Sequence, residues 1–567
     1  MRIPLSASVL LSTCGIPASQ FSYPGCDSIP ESDFSVATLV DRSRDSLLKD
    51  PLKMDFHADT NGVNVFFVER KGVLKYYDAG TGTVRALGTV PGVYSGNRLY
   101  GEDGLFGIAL DPGFGSNRRV FLQYCALSKD AFTFRVSRFE LEAGTLALLP
   151  ATEKPILSWA GFRDRFNTGG GLRFDAYGDL WITVGDNLTL LPGPGNPGDL
   201  RGSILRIHPR EDGTYSIPPG NFWEAAAAHF DSAGRPEVAA KYRDGALARR
   251  EIYVKGVRNP YTLTLDPVRR WAAWGDCGPD IGGETEEHDL ATSAGFYGWP
   301  FWAGKGRSVS RGGSADYGVP AEDSVYWNKA ATMRIESPAN PLDSLPIVDL
   351  PPARGATYPY ARSCAMTGPI IRYDGGLPSA VKFPPSFNRL WMVTDWNTGV
   401  LKTIGLDADG AMVGQPGTLF RGLAPAPGGV VDFQQGPDGA LYFLNFACKA
   451  KWSSADSCTG IYRIEYHGSC QDPGLKAEVP SRLGGRASDR SIGPRVRRAA
   501  GRLSIRAAGG YSLELFAADG RRVRGLSVEG ERDFEISRLL SGAGAGLYWL
   551  QVRDGSGIHR EHIAHLP

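Results

Sequence analysis

A strand rich in aromatic and β-branched residues, usually set after a turn, recurs along most of the chain. Its copies are "GVNVFFVER", "NRRVFLQYC", "GDLWITVGD", "RRWAAWGD", "NRLWMVTDW" and "GALYFLNF". Several copies follow a shorter apolar strand, as in "LRFDAYGD" and "VDFQQGPDG", and several precede a further strand, as in "GVLKYYD" and "GIYRIEY". Strand, turn, strand, turn, strand makes one antiparallel sheet, and such a sheet buries its faces only against neighbours. Repetition of this kind predicts a six-bladed β-propeller, with each blade packed on the next. A set of β-sandwiches explains the spacing no better and the repeated turn-aromatic motif worse. The expected organisation is all-β, with the propeller over residues 21–470. Two insertions interrupt it: a helix-forming stretch, "NFWEAAAAHFDSAGRPEVAAKYR", and a long excursion from about Arg307 to Pro346. Insertions on a propeller usually shape one face.

The composition changes after Cys470. Residues 471–500 read as a basic linker, and 501–567 alternate apolar and polar residues between glycine turns, as a small C-terminal β-sandwich would. His559, His562 and His565 are three apart, which puts successive residues on opposite faces of a strand and argues against a metal site there. Residues 1–20 combine one early charge, a short apolar stretch and small residues, the pattern of a secretory signal peptide. No apolar run is long enough for a membrane-spanning helix. The net charge of +1 gives no bulk attraction to nucleic acid or to an anionic membrane. Of the eight cysteines, Cys448 and Cys458 bracket a polar loop and suit a disulfide. Cys26 and Cys470 flank the main body and either join its ends or stay as thiols. No spacing suggests zinc.

The ordered motifs "EDGLFGIALDPGF", "GGGLRFDAYGDLWITVGD", "GSILRIHP", "EIYVKGVRNPYTLTLDP", "GDCGPD", "FYGWP" and "GPDGALYFLNF" resemble the glucose/sorbosone dehydrogenase family over about residues 55–467. The C-terminal module resembles sorting domains of the type IX secretion system through "YSLELFAADGRRV" and "GLYWLQV". The resemblance implies a secreted or cell-surface protein that uses PQQ and Ca²⁺ to oxidise a sugar or glycan, passes electrons to an acceptor, and engages the secretion machinery. In active members of the family a histidine takes the hydroxyl proton, an arginine steadies developing negative charge, and calcium polarises the quinone. On this chain Arg258 and Asn259 of "GVRNP" fall on the quinone- and substrate-facing pair. Gly278 and Pro279 fall on carbonyl ligands of calcium, and Glu287 and Tyr297 on further calcium positions. Lys305 and Arg307 stand where the family adds acidic ligands, so a second ion is not expected.

The family's histidine falls on Asn167, and the carboxylate that orients it falls on Asp186. An amide takes no proton near neutral pH. Val430 and Val431 occupy the places where the family tends to carry arginines. Two main readings follow: a sugar dehydrogenase in which Asp186 or His288 replaces the base, or a non-catalytic propeller that binds carbohydrate or a partner; a shift of the loop at the extra glycine of "NTGGG" ranks behind both, because it restores no histidine. A hydrolase built on Asp276 and Glu287 is a third, which no motif supports.

Overall fold

A computed structural model of the protein describes residues 29–96, 102–128, 131–188, 193–266, 268–279, 284–300, 302–304, 307–308, 333–335, 348–361, 364–419, 429–447 and 457–470, and the backbone of seven strands between 495 and 565. The chain divides into two compact units, Met1–Leu483 and Gly484–Pro567.

The first unit is a six-bladed β-propeller. It opens with β1 (Phe34–Val40). Blade 1 follows as β2 (Pro51–Asp59), β3 (Gly62–Glu69), β4 (Val73–Asp78) and β5 (Thr83–Thr89). Blade 2 is β6 (Leu105–Leu110), β7 (Arg119–Ser128), β8 (Ala131–Leu141) and β9 (Leu148–Ala160). Blade 3 is β10 (Gly169–Phe174), β11 (Leu180–Val184), β12 (Ser203–Pro209) and β13 (Ile252–Lys255). Blade 4 is β14 (Pro260–Leu265), β15 (Ala272–Asp276), β16 (Glu284–Ala291) and β17 (Tyr358–Ala361). Blade 5 is β18 (Ala365–Ile370), β19 (Trp391–Asp395), β20 (Leu401–Leu406) and β21 (Met412–Leu419). Blade 6 is β22 (Val430–Gln435), β23 (Leu441–Asn445) and β24 (Gly460–Tyr466), with β1 as its outer strand.

Each recurring aromatic motif is the second strand of a blade. These strands are covered on both faces, so they read as continuous apolar runs: every residue of β11, β15, β19 and β23 is buried. The first strands β2, β6, β10, β14, β18 and β22 pack in sequence round the axis, and β22 returns to β2. At that seam the Met54 N–H donates to Asp432 at 2.9 Å and the Gln434 amide donates to the Met54 carbonyl at 2.7 Å. The outer edge is sealed by β1, which runs antiparallel to β24 from Phe34 opposite Tyr466. Without β1, blade 6 would present an unpaired strand edge.

The first insertion forms α1 (Phe222–Ser232) and α2 (Pro236–Arg243) between β12 and β13. Phe222, Ala226 and Phe230 recur at helical spacing and are buried. The second insertion, inside blade 4, lies almost wholly outside the described residues. A disulfide joins Cys277, after β15, to Cys364, before β18. Eighty-seven residues separate the two, and no bracketing pattern in the sequence pointed to the pair. Cys458 and Cys470 are each disulfide-bonded, and their expected partners Cys448 and Cys26 lie outside the described residues. No helix among the described residues is long and apolar enough to cross a membrane.

The second unit has two antiparallel sheets. One holds Arg495–Ala499, Arg502–Arg506 and Arg532–Glu535. The other holds Tyr511–Ala517, Arg522–Val528, Gly546–Asp554 and Gly557–His565. Its first strand begins inside the stretch expected as linker.

Candidate functional site

The first strands of the blades begin at one rim of the ring, and Asn167, Asp186, Arg258 and Asn259 gather there. β10 enters through three glycines wedged between blades 2 and 4. A side chain at Gly170 would run into the Phe106 carbonyl at 2.7 Å, and one at Gly171 into Leu263 at 2.5 Å. The glycine N–H groups are taken up locally: those of Gly170 and Gly171 donate to the Thr183 hydroxyl at 3.1 and 2.7 Å, and that of Gly169 donates to the Asn259 side-chain oxygen at 3.0 Å. Asn259 therefore braces the loop from blade 4.

Asn167, just ahead of these glycines, is buried with a left-handed backbone, φ 64°. Asn, Asp and His are the non-glycine residues most enriched in that region, so a place built for histidine also suits asparagine. The Asn167 amide donates to Asp186 Oδ1 at 2.8 Å. Asp186 is fully buried and accepts two more bonds, from the Leu188 N–H at 2.8 Å and from the Trp299 indole at 2.9 Å. Burial pushes its carboxyl above the usual range, and the charge of Arg258 opposes the shift. With three donors on it, Asp186 orients its neighbours.

Arg258 is half-buried. Its backbone carbonyl accepts the Asp186 N–H at 2.7 Å, its guanidinium donates to the Cys277 carbonyl at 2.9 Å, and it lies 5.7 Å from the Trp299 ring. The turn carrying Arg258 and Asn259 is capped by Asp276, which accepts both backbone N–H groups, at 2.9 and 2.5 Å.

The site also holds a residue that sequence reasoning missed. Glu102 reaches from blade 2 to the loop, and its Oε2 accepts the Thr168 N–H at 3.0 Å and the Thr168 hydroxyl at 3.2 Å. Burial raises its carboxyl above the usual glutamate range, against the Thr168 bonds and the Arg258 charge. The signal lay in the phase of the repeat. Glu102 precedes β6 as Asn167 precedes β10 and Arg258 precedes β14, two or three residues ahead of the strand.

The calcium expectation meets a different geometry. β15 and β16 pair with Asp276 opposite Glu287 and Trp274 opposite Asp289. Glu287 and Asp289 are two apart on a strand and share a face. Carboxylate oxygens of Asp276, Glu287 and Asp289 therefore lie within 4.8 Å of one another, all buried. Burial raises Asp276 to about 7 and pushes Glu287 and Asp289 well up, with the neighbouring carboxylates adding to it. Glu287 accepts the Gly304 N–H, and Asp289 faces Glu287 and the Thr357 N–H. Three confined carboxylates suit a hard cation, which relieves their repulsion. Gly278 and Pro279 follow Asp276 closely in the chain. The Gly278 N–H donates to Glu286 at 3.0 Å, and the Pro279 carbonyl accepts the Thr285 hydroxyl at 3.3 Å. The Tyr297 phenol donates to the Leu290 carbonyl at 3.1 Å and packs on Trp274, so that hydroxyl is already engaged.

His288 points to the other face of β16. It stacks on Tyr358 and Tyr360 and meets Trp391 edge-on. Burial, helped by Lys402, pulls its imidazole down to about 3. Val430 and Val431 are both buried. A cation that does reach them is Lys53 of β2, whose ammonium donates to the Val431 carbonyl at 2.6 Å and lies 3.6 Å from the Tyr261 ring centroid.

Known proteins resemble this chain in sequence and in fold. The aldose sugar dehydrogenase YliI of Escherichia coli (strain K12) is 26% identical over 263 residues, 45% of this chain and 59% of that protein. The match thus spans less than two thirds of that relative. The soluble aldose sugar dehydrogenase of Escherichia coli, in its apo-form, superposes with a TM-score of 0.51 at 19% identity, covering 76% of this chain and 99% of that one. The PQQ-bound aldose sugar dehydrogenase of Streptomyces coelicolor gives a TM-score of 0.50 at 18% identity, covering 76% and 98%. At these identities the structural likeness is one of fold. The glucose/sorbosone dehydrogenase model matches residues 48–333, half of the sequence, spanning the glycine loop, the Arg258 turn and the carboxylate cluster. On that match the chain belongs to the glucose/sorbosone dehydrogenase family.

Proposed function

We propose that this protein is a quinone-dependent aldose dehydrogenase, oxidising a sugar hydroxyl outside the cell with PQQ as hydride acceptor and calcium as the metal. The observation that carries this reading is the convergence of Asn167, Asp186, Arg258 and Glu102 on one rim of the ring. A glycine loop, a guanidinium and carboxylates are the parts needed to seat a polyhydroxyl substrate against a planar anion. Arg258 suits such an anion because a guanidinium is flat, charged and half-exposed here. Lys53 of β2 reaches the last blade, but burial pulls its ammonium down to about 7 and its Nζ is held by the Val431 carbonyl, so Arg258 is the guanidinium on which this reading relies. Arg258 would hold the cofactor, with Asn259 steadying the loop beneath it and the carbonyls of Gly278 and Pro279 turned to calcium. PQQ, when bound, supplies a carbonyl carbon that accepts two electrons. The protein's part is to orient the sugar, exclude water and receive a proton.

The test takes the purified protein with PQQ and Ca²⁺. A bound-quinone absorbance change followed by dye reduction with aldoses is the expected result. Absence of both would sink the reading. Sugar binding without quinone binding would favour the second reading, a carbohydrate-binding propeller, which the replacement of histidine by Asn167 supports. We also propose that residues 1–20 direct export and that the C-terminal module engages secretion machinery. Normal release of a chain lacking Leu503–Pro567 would rule out the module's part.

A further inference from the structure

With Asn167 an amide, the proton released by sugar oxidation needs another acceptor. Asp186 is fully buried and already accepts three donors. His288 is packed among Tyr358, Tyr360 and Trp391 on the far face of its strand. Glu102 differs from both. It is half-buried and anchored through its backbone N–H to the Arg165 carbonyl at 3.0 Å. Both Thr168 bonds converge on Oε2, and the Asn167 N–H is a third donor to the carboxylate, so what separates Glu102 from Asp186 is its partial exposure. The carboxylate stands beside the residue that replaced the histidine, because Thr168 is its sequence neighbour.

We propose that Glu102 is the catalytic base of this site, with Oε1 accepting the proton of the sugar hydroxyl as that carbon is oxidised. This deepens the dehydrogenase reading and rests on it. The O–H bond breaks and its proton goes to Glu102. The electron pair left on oxygen forms the carbonyl, and the hydrogen on carbon leaves with its two electrons to an o-quinone. Glu102 then gives that proton to the reduced quinone, so that hydride and proton together bring it to the quinol level and Glu102 returns to the carboxylate. A general base works best when its pKa lies nearer the working pH than that of a free carboxylate, and burial shifts Glu102 in that direction. The groups that act on it are Arg258 of the blade 4 turn, Thr168 and the Asn167 N–H of the loop, Lys53 of β2, and Arg70 and Tyr261.

The experiment uses the full chain with PQQ and Ca²⁺ and compares wild type, E102Q and T168V. Quinone binding, read by absorbance, is expected to stay within about threefold in E102Q, while kcat falls by roughly 10²–10⁴-fold, the usual worth of a positioned base. The acid limb of kcat/KM should vanish in E102Q. In T168V it should move to higher pH, because the carboxylate loses one donor that favours its charged form. In the cofactor-free protein, the infrared carboxyl band lost in E102Q should titrate above the ordinary glutamate range. Turnover in E102Q within about threefold of wild type, or an unmoved acid limb in T168V, would overturn the assignment to Glu102 while leaving the dehydrogenase reading intact. Wild type that neither binds quinone nor turns over sugar would overturn both, and that result is read on wild type alone.

Discussion

Asn167 and Asp186 show how much one side chain can set at this rim. Asp186 ties the loop, the segment after β11 and Trp299 together through three bonds, two of them buried. Removing it strands three donors, so Asp186→Ala should cost about 2–4 kcal/mol. Asn167→Gly keeps the left-handed backbone and loses one bond, for about 1 kcal/mol. Asn167→Val adds the strain of a β-branched residue at φ 64°, roughly another 1–2 kcal/mol. Urea denaturation should rank the losses Asp186, then Asn167→Val, then Asn167→Gly. A ranking with Asp186→Ala mildest would show that the carboxylate is not the hub. Asn167, Asp186 and Arg258 were legible in the sequence because they sit inside motifs. Glu102 was not, because its bond to Thr168 spans 66 residues and depends on two blades meeting at the rim.

Strand pairing decides the chemistry of the carboxylate cluster. "EEHDL" reads as a polar run in the sequence, and only its register against β15 brings Glu287 and Asp289 to Asp276. The sequence pointed to Glu287 as a calcium position and to Asp276 only as its partner in a hydrolase, and it left Asp289 unnamed, since a cross-strand contact has no local signal. The cluster predicts a pH dependence. Asp276 is held near 7 in the fold, against about 4 for a free aspartate. The folded state therefore binds the extra proton between those values, and stability contributed by the protonated form is lost as pH rises through that window. In chelator, the melting temperature should fall from about pH 4 to pH 7 and beyond. Added Ca²⁺ should raise it more at pH 7.5 than at pH 5, because the ion competes with protons for the same oxygens. Calorimetry showing equal calcium gains at both pH values would count against a metal in this cluster.

At the scale of the whole molecule, the propeller was legible because its repeat is printed six times and each copy marks a second strand. Its seal was not legible. "FSVATLV" matches no copy of the repeat, and β1 finds its place only as the outer strand of blade 6. Deleting residues 1–40 should leave the other five blades with their strands, lower the urea midpoint, and favour self-association through the bare edge of β24. An unchanged midpoint would show that the seam between β22 and β2 closes the ring unaided. The seal also has a timetable. Ser35 and its hydrogen-bond partner His467 lie 432 residues apart, and chains grow at about 5–20 residues per second. For roughly 20–90 s, β1 exists without the strand it will pair with. Ribosome-bound chains of increasing length should show protease protection at Phe34–Val40 only after Tyr466 has emerged, so the first strand made is among the last to be folded.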